Sequence, residues 1–221
     1  FAVQDNLSSV TNYQLTLTSG ITDLAGNPFS GDNVSFQTAL AGTGTALDPY
    51  LVSNAAGLNA IRYDLTAHYR LTDNITLTGE WTPIGSGASD NFSGVLDGNG
   101  KTISGVRISS TATEAGFFGL VDGTIQNLHL VVDNVSGTGI VGGLVGSLTS
   151  SGTVQSVVIS GNLVATTGAY VGGLGGNNAG EVSNSYSTVT VQGGTNAGGL
   201  VGSNSGEVHY SYATGSVSET T

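Results

Sequence analysis

The chain has 221 residues, of which 36 are glycine and 3 are proline, and neither cysteine nor methionine occurs. Average proteins have about 7% glycine, so this composition predicts a turn-dense, all-β fold, and the lack of cysteine excludes disulfides and thiolate metal sites. Four basic against 15 acidic residues give a net charge of −11. Nucleic acids and anionic membranes are bound through basic side chains, so neither is an expected partner. No apolar run reaches the roughly 18 residues of a spanning helix, so no membrane insertion is expected.

Residues 1–40 differ in pattern from the rest of the chain. Residues 13–18 and 34–38 alternate apolar and polar side chains, which predicts two half-buried strands. The link at 20–28 contains the stretch Asp-Leu-Ala-Gly-Asn. This stretch resembles the closing hairpin of bacterial immunoglobulin-like surface domains. The resemblance implies that residues 1–40 form the C-terminal part of such a β-sandwich.

A small-residue linker at 41–45 precedes the one helical pattern in the sequence, at residues 53–65. Ser53 or Asn54 can cap its first turn, and Leu58, Ile61 and Leu65 form an apolar stripe at helical spacing. We expect this helix to cap the first coil of whatever follows. Short strands are then predicted at 69–77, 92–96 and 102–108, with a turn at 97–100 where Asp-Gly-Asn-Gly tolerates positive φ.

A five-residue phrase recurs four times in the second half of the chain. Its copies are Ala-Gly-Phe-Phe-Gly at 115–119, Gly-Gly-Leu-Val-Gly at 142–146 and 198–202, and Gly-Gly-Leu-Gly-Gly at 172–176. Their second residues lie 27, 30 and 26 positions apart, and a second phrase, such as Gly-Thr-Ile-Gln-Asn at 123–127, begins seven or nine residues later. This doublet predicts a stacked-coil solenoid, and its glycines are expected to allow tight coil corners.

Alignment of the second phrases gives three columns of equivalent residues. The first is apolar and is predicted to face inward: Ile125, Val154, Val182 and Val208. The second could form a partial asparagine ladder: Asn127, Ser156, Asn184 and Tyr210. The third ends in two tyrosines: His129, Val158, Tyr186 and Tyr212. Residues in register on successive coils lie about 4.8 Å apart, so each column can form a ladder.

These paired phrases resemble the GLUG repeat of large bacterial surface proteins, including the non-catalytic N-terminal regions of IgA-specific metallopeptidases. The resemblance covers about residues 42–216, including lead-in phrases such as Trp-Thr-Pro-Ile-Gly at 81–85. It implies a right-handed parallel β-helix over residues 41–221, with repeats at about 115–216. Proteins of this kind are mostly adhesins, stalks or display modules. The copies at 115–119 and 172–176 depart from the consensus phrase.

Catalytic and zinc sites are not predicted. The zinc sequence His-Glu-x-x-His of the peptidases is missing, and His68, His129 and His209 are scattered. Glycoside hydrolysis needs two facing carboxylates, for which the candidates are Asp90, Asp97, Asp122 and Asp133. Asp97 and Asp122 lie in Gly-flanked turns, and turn geometry alone explains them. We therefore expect no enzyme activity and name no catalytic residue.

Calcium and sugars are the ligands left open. Oxygen ligands occur at Asp23, Asn27 and Asp32, and at Asp97 with Asn99, but no calcium-binding loop sequence is present, so no ligand set is assigned and no cofactor is predicted. Tyr186 and Tyr212 are the candidate ligand-binding surface, as a sugar platform, with core or ladder stacking as the alternative. The Thr- and Ser-rich segments at 187–191 and 213–217 leave ice binding as a further alternative.

The sequence thus predicts a secreted or bacterial cell-surface protein that is part of a larger multidomain chain. Its predicted role is a non-catalytic adhesin or structural display module on an elongated β-helical scaffold, with host or environmental glycans or proteins as partners. The alternative is a carbohydrate-binding or polysaccharide-degrading β-helix.

Overall fold

The computed structural model describes residues 12–17, 32–37, 39–166 and 169–218. The chain divides into two compact units, Phe1–Ala41 and Gly42–Thr221. In the first unit, β1 (Asn12–Leu17) and β2 (Asp32–Gln37) pair antiparallel, as the alternating patterns suggested. The predicted link at 20–28 lies outside the described residues, so the immunoglobulin-like assignment of residues 1–40 stays a prediction.

The second unit is a parallel β-solenoid with one short helix near its N-terminal end, which confirms the predicted fold class. Its strands, in chain order, are β3 (Tyr50–Val52), β4 (His68–Leu71), β5 (Ile75–Glu80), β6 (Val95–Ser110), β7 (Glu114–Ala115), β8 (Phe118–Val121), β9 (Thr124–Gly137), β10 (Ile140–Gly142), β11 (Val145–Leu148), β12 (Thr153–Gly161), β13 (Leu163–Thr166), β14 (Tyr170–Gly172), β15 (Gly175–Asn178), β16 (Glu181–Ser183), β17 (Tyr186–Ser187), β18 (Thr190–Gly193), β19 (Asn196–Gly198), β20 (Val201–Asn204), β21 (Glu207–His209), β22 (Tyr212–Ala213) and β23 (Val217–Ser218).

Strands that lie one repeat apart pair in parallel and form three sheets. Two sheets have four strands each, in the orders β7-β10-β14-β19 and β8-β11-β15-β20, and one sheet has 13. Through the 13-stranded sheet run the successive neighbours β3, β4, β6, β9, β12, β16 and β21. Backbone hydrogen bonds therefore run from coil to coil along the solenoid axis, and the side chains of one column stack above one another.

The first predicted column forms part of the core. Leu96, Ile125, Val154 and Val182 are paired in register and fully buried. Val208 continues the column on β21, the last described strand of that series, where 37% of its surface is exposed. Each fully buried side chain of this kind contributes about 1.5–3 kcal/mol relative to an exposed one. The repeat period therefore defines the hydrophobic core.

A second inward column changes from apolar to polar along the axis. Val121 and Leu148 are buried, and the next positions in register are Asn178 and Asn204. Asn178 is 1% exposed, and its Nδ2 donates to Asn204 Oδ1 at 2.7 Å while its Oδ1 accepts from the Gly180 N–H at 3.1 Å. These bonds offset the cost of burying the amide. An asparagine ladder thus exists, but in a different column from the one the sequence suggested.

The column of Asn127, Ser156, Asn184 and Tyr210 has a backbone role instead. Together with Asn99, these residues have φ between 49° and 55°, the left-handed region. They mark one corner, repeated on successive coils, at which the 13-stranded sheet bends. The turn predicted at 97–100 is this corner: Asn99 and Gly100 both have positive φ, as the sequence suggested, and the corner lies inside the continuous strand β6.

The helix is shorter than predicted: α1 spans Ala55–Ala60 and continues as a 3₁₀-helix, Ile61–Tyr63. Asn54 is its N-cap, because Asn54 Oδ1 accepts from the Gly57 N–H at 2.9 Å. Leu58 and Ile61 are fully buried, as the apolar stripe predicted. The helix ends because the backbone becomes extended at Asp64.

The helical segment is fixed to the solenoid by stacked planar groups. The guanidinium of Arg62 lies 5.0 Å from the ring centroid of Trp81, and the Trp81 ring stacks on Phe117 with centroids 4.7 Å apart. Arg62 also donates to the backbone oxygens of Thr82 and Pro83. Burial lowers the pKa of Arg62, although the side chain stays cationic at all ordinary pH values.

Except at Gly175, the glycines of the recurring phrase are required for close packing rather than for unusual φ. None of them has positive φ. A Cβ at Gly142 would lie 2.1 Å from Val145 O, within the same turn, and a Cβ at Gly143 would lie 2.4 Å from Gly173 O, on the next coil. The tight corner was predicted correctly, and glycine is needed there because no space is left for a side chain. Leu144 and Leu174 fill the interior beside it.

Candidate ligand-binding surface

Tyr186 and Tyr212 lie on successive coils just after the repeated corner. Tyr186 begins β17, Tyr212 begins β22, and the two residues are paired in register. Their rings are stacked, with centroids 5.0 Å apart and an interplanar angle of 2°. Val158 and His129 precede them in the same column. The structure therefore brings the two predicted residues together as a ladder.

The stacked geometry decides which parts of the tyrosines a ligand can reach. Because the ring faces lie against each other along the solenoid axis, they do not form one flat two-ring platform. Tyr212 is 56% exposed and Tyr186 is half-buried, so Tyr212 is the more accessible of the two rings. A tyrosine pair of this kind offers aromatic and phenolic groups, which suits an amphipathic partner such as a sugar.

Buried serines hold the corner that presents the tyrosines. Ser185 Oγ accepts from the Val157 N–H at 3.0 Å and donates to Ser183 O, and one coil later Ser211 Oγ accepts from the Ser185 N–H at 3.0 Å. These bonds bridge the gap that the corner leaves in the strand ladder. The backbone carrying both tyrosines is thus tied to the preceding coil.

Tyr210 is an aromatic residue that the sequence reasoning did not single out as part of a site. It occupies the corner itself, with φ of 49°, and 87% of its surface is exposed. The available signal was its position in the column otherwise occupied by Asn and Ser. A tyrosine at a corner that favours Asn has no packing reason to be there, which indicates a surface role.

The surroundings of the tyrosines carry little charge. All four basic residues lie at or before position 107, namely Arg62, Arg70, Lys101 and Arg107, and residues 134–180 contain no charged side chain. Between 134 and 218 the only charged side chains are Glu181 and Glu207. Glu207 Oε2 lies 2.9 Å from His209 Nε2. Anionic ligands therefore meet no compensating positive charge on these coils.

Each of the four candidate carboxylates has a local hydrogen-bond or ion-pair partner. Ser86 N–H donates to Asp90, Asn99 N–H and Asn127 Nδ2 donate to Asp97 Oδ1, Thr149 Oγ1 donates to Asp122, and Arg107 Nε pairs with Asp133 at 3.2 Å. Across the strand pair, Asp97 lies opposite Gln126 rather than another carboxylate.

The histidines are equally dispersed. His129 Nε2 lies 2.7 Å from Ser160 Oγ, His209 pairs with Glu207, and His68 is on β4 at the other end of the sheet. Within the described part of the chain, no three His, Asp or Glu side chains lie close enough together to hold a metal ion. Asp23 and Asn27 lie outside the described residues, and Asp32 is described only as the first residue of β2.

Comparison with known proteins identifies the repeat. Residues 167–192 and 193–218 each match the model of the GLUG motif. The chain carries GLUG motifs. Both matched segments lie in the solenoid, and the second contains Tyr210 and Tyr212. This result confirms the resemblance on which the sequence-based prediction of the fold depended.

Two relatives are surface-type proteins by name. The chain is 36% identical over 148 residues to the halomucin of Haloquadratum walsbyi and 38% identical over 132 residues to a Gly-rich membrane protein of Evansella cellulosilytica. These matches cover 60% and 53% of this chain, but only 2% and 15% of the relatives.

Of the helices in the described residues, none has the length and apolar character needed to cross a membrane.

A solved structure shows the same fold. The solenoid resembles the crystal structure of a candidate immunoglobulin A1 protease from Bacteroides ovatus, with a TM-score of 0.71 over 79% of this chain and 59% of that one. The sequence identity is 24%, so the likeness concerns architecture alone.

Proposed function

We propose that this chain is a non-catalytic display module of an extracellular surface protein and that it contributes an adhesive face. The observation that carries the proposal is the tyrosine ladder of Tyr186 and Tyr212, with Tyr210 beside it. Aromatic side chains that protrude from a fixed backbone lose little conformational entropy on binding, so they are effective contact residues.

The scaffold supports this role. Its strands are hydrogen-bonded from coil to coil and its interior is filled by stacked columns, so outward residues can vary without loss of the core. Functional residues of such a scaffold are expected on outward columns and corners, where the three tyrosines lie.

The charge and the relatives support an extracellular setting. A net charge of −11 keeps copies of the protein apart and favours solubility in salt-rich surroundings. The two relatives are named as a halomucin and a membrane protein. The matches cover only a small part of each relative, and this chain would likewise act as one part of a multidomain protein. Its partners would be glycans or proteins of a host or of the environment.

An adhesion experiment tests the proposal. Immobilised chain is probed with a glycan array and with a panel of extracellular-matrix proteins, and the double variant Tyr186→Ala/Tyr212→Ala is compared with wild type. We expect at least tenfold weaker binding in the double variant, since each aromatic contact is worth about 1 kcal/mol. Tyr63→Ala is the matched control, because Tyr63 is also exposed but lies on the 3₁₀-helix.

Three outcomes would contradict the proposal. The first is unchanged binding in the double variant. The second is turnover of a polysaccharide that Asp97→Asn or Asp122→Asn abolishes, measured by the absorbance of unsaturated products with and without calcium. In that case the chain would be a polysaccharide-degrading β-helix. The third is thermal hysteresis of the wild-type chain without any glycan or protein binding, which would instead identify an ice-binding face.

A further inference from the structure

A polar groove lies on the surface of the solenoid, on a different part of each coil from the tyrosine ladder. It forms where the turns that precede β12, β16 and β21 stack on one another, and it encloses about 600 Å³. Its lining comes from three successive coils, so the groove runs along the solenoid axis. We call it the serine groove, after Ser150, Ser151 and Ser205 on its rim.

The serine groove lies where one coil departs from the repeat. Gly152 follows Gly143 by nine residues, whereas the equivalent glycines on the next two coils follow their phrases by seven. The two additional residues are Ser150 and Ser151, both exposed. Within the described residues their hydroxyl groups have no hydrogen-bond partner in the protein. The insertion therefore adds a raised, hydroxyl-bearing rim and contributes no contact to the core.

The opposite wall is an outward column of Thr153, Glu181 and Glu207. The two glutamates are paired in register, so they lie about 4.8 Å apart, a like-charge arrangement that destabilises a sheet. Both are exposed. Glu207 contacts His209, whereas Glu181 has no ion pair or side-chain hydrogen bond within the described residues. They are also the only charged side chains between 134 and 218.

We propose that the serine groove binds a neutral glycan chain laid along the solenoid axis. Serine and threonine hydroxyls exchange hydrogen bonds with sugar hydroxyls, and the two carboxylates accept from them. Three stacked coils extend over about 10 Å, enough for about two sugar rings. Peptides that bind through their side chains need apolar pockets, and the groove lining has no large apolar side chain.

Charge sets the selectivity of the groove. Glu181 and Glu207 repel uronic and sulfated sugars, and no Lys or Arg after Arg107 compensates for them. The site is separate from the tyrosine ladder, since the corner at Asn184 lies between Glu181 and Tyr186. The proposal for the serine groove can therefore be tested independently of the adhesive face proposed above.

The test uses the whole chain, isothermal calorimetry and three linear hexasaccharides, of β-1,4-linked glucose, β-1,4-linked glucosamine and α-1,4-linked galacturonic acid. The key variant deletes Ser150 and Ser151, which gives the turn the length of its two neighbours and so keeps a loop that this fold already contains. We expect binding of the glucose hexasaccharide to wild type, at least tenfold weaker binding in the deletion variant, and no binding of the galacturonic acid hexasaccharide. Glu181→Gln/Glu207→Gln should retain glucose binding and admit the acidic chain.

Several results would overturn the proposal. The first is that wild type does not bind the glucose hexasaccharide at millimolar concentration. The second is that wild type binds only the glucosamine hexasaccharide. The third is that a folded deletion variant binds with unchanged affinity. The fluorescence of Trp81, the single tryptophan, and far-UV circular dichroism report whether the variant is folded. Loss of binding in Tyr212→Ala together with retention in the deletion variant would place the sugar on the tyrosine ladder. That result would reject the groove and support the adhesive face.

Discussion

Replacing Gly143 by alanine tests whether glycine recurs at this position of the phrase because there is no space for a side chain between the coils. Gly143 N–H donates to Gly173 O at 3.2 Å, and its own carbonyl accepts from the Phe117 N–H at 3.3 Å. The neighbouring Leu144 N–H donates to Leu174 O at 2.9 Å. A Cβ at Gly143 would lie 2.4 Å from Gly173 O, an oxygen of the backbone. No side-chain rotation can relieve that contact.

The expected cost follows from the required displacement. A carbon atom approaches a carbonyl oxygen to about 3.3 Å, so the two coils must separate locally by nearly 1 Å. The three hydrogen bonds would then be lost or weakened, at about 1 kcal/mol each, with a further 1–3 kcal/mol for overpacking. We expect Gly143→Ala to lower the free energy of unfolding by about 4 kcal/mol.

Gly175 provides the matched control on the same turn of the repeat. Its register partners on the neighbouring coils are Val145 and Val201, so this column normally holds a side chain. The nearest atom to a Cβ at Gly175 is the Val145 Cγ2 methyl at 3.1 Å, which can move by a few tenths of an ångström. The φ of Gly175 is not positive. We expect Gly175→Ala to raise stability by about 0.5–1 kcal/mol, because glycine loses more backbone entropy on folding.

Urea unfolding at 25 °C, followed by Trp81 fluorescence and far-UV circular dichroism, measures both variants. Trp81 is a direct reporter, since its ring stacks on Phe117, whose N–H donates to the Gly143 carbonyl. A Gly143→Ala protein within 0.5 kcal/mol of wild type would refute the steric explanation. Equal destabilisation by both substitutions would also refute it, because a general intolerance of side chains would then be the cause.

Three further predictions concern buried or strained polar groups. Ser187→Ala should raise the free energy of unfolding in urea by about 1–2 kcal/mol, since Ser187 Oγ is fully buried and has no hydrogen-bond partner among the described residues. Tyr210→Asn should slow amide exchange in residues 207–213 by several fold, because Asn tolerates the left-handed corner, as at Asn184, at lower cost. Tyr69→Phe should cost about 1 kcal/mol at pH 7, since Tyr69 Oη donates to Asp64 O at 2.6 Å. The difference in unfolding free energy between wild type and Tyr69→Phe should become smaller above pH about 10.

The sign of the pH effect follows from the pKa of Tyr69. Burial, and then the negative charge of Asp64, raises this pKa, so the folded state keeps the phenol protonated when the unfolded chain has begun to ionise. Stability from Tyr69 is complete below the ordinary tyrosine pKa and declines as the pH rises above it. A gap between Tyr69→Phe and wild type that stays constant or widens from pH 9 to 11 would contradict the assignment. Lower stability in Ser187→Ala, or faster exchange in Tyr210→Asn, would contradict the other two.

The repeat period, the inward column and the helix cap could be read from the sequence because each depends on local spacing. Ile125, Val154 and Val182 recur at fixed positions, so their stacking follows once the coils are parallel. Asn54 precedes an apolar stripe, and capping requires only the next three residues. Such features do not need long-range information.

The candidate site was only half predictable. That Tyr186 and Tyr212 lie on adjacent coils follows from the alignment, but whether their rings form a platform or a stack depends on the 5.0 Å separation and the 2° angle between them. The exposure of Tyr210 follows from a corner that breaks the strand, which a repeat alignment does not reveal. The serine groove needs three turns from distant parts of the chain to come side by side.

By itself, the sequence determined a charge-poor, glycine-rich solenoid with GLUG repeats, because its period encodes the stacking of coils. Only the tertiary structure showed why glycine is required at these positions and where the polar side chains lie. A carbonyl of the next coil occupies the place of a side chain at Gly143. Asn178 and Ser185 are buried where the sequence would suggest surface, because each bonds to groups one coil away. Contacts between coils are set by distances that no single repeat contains.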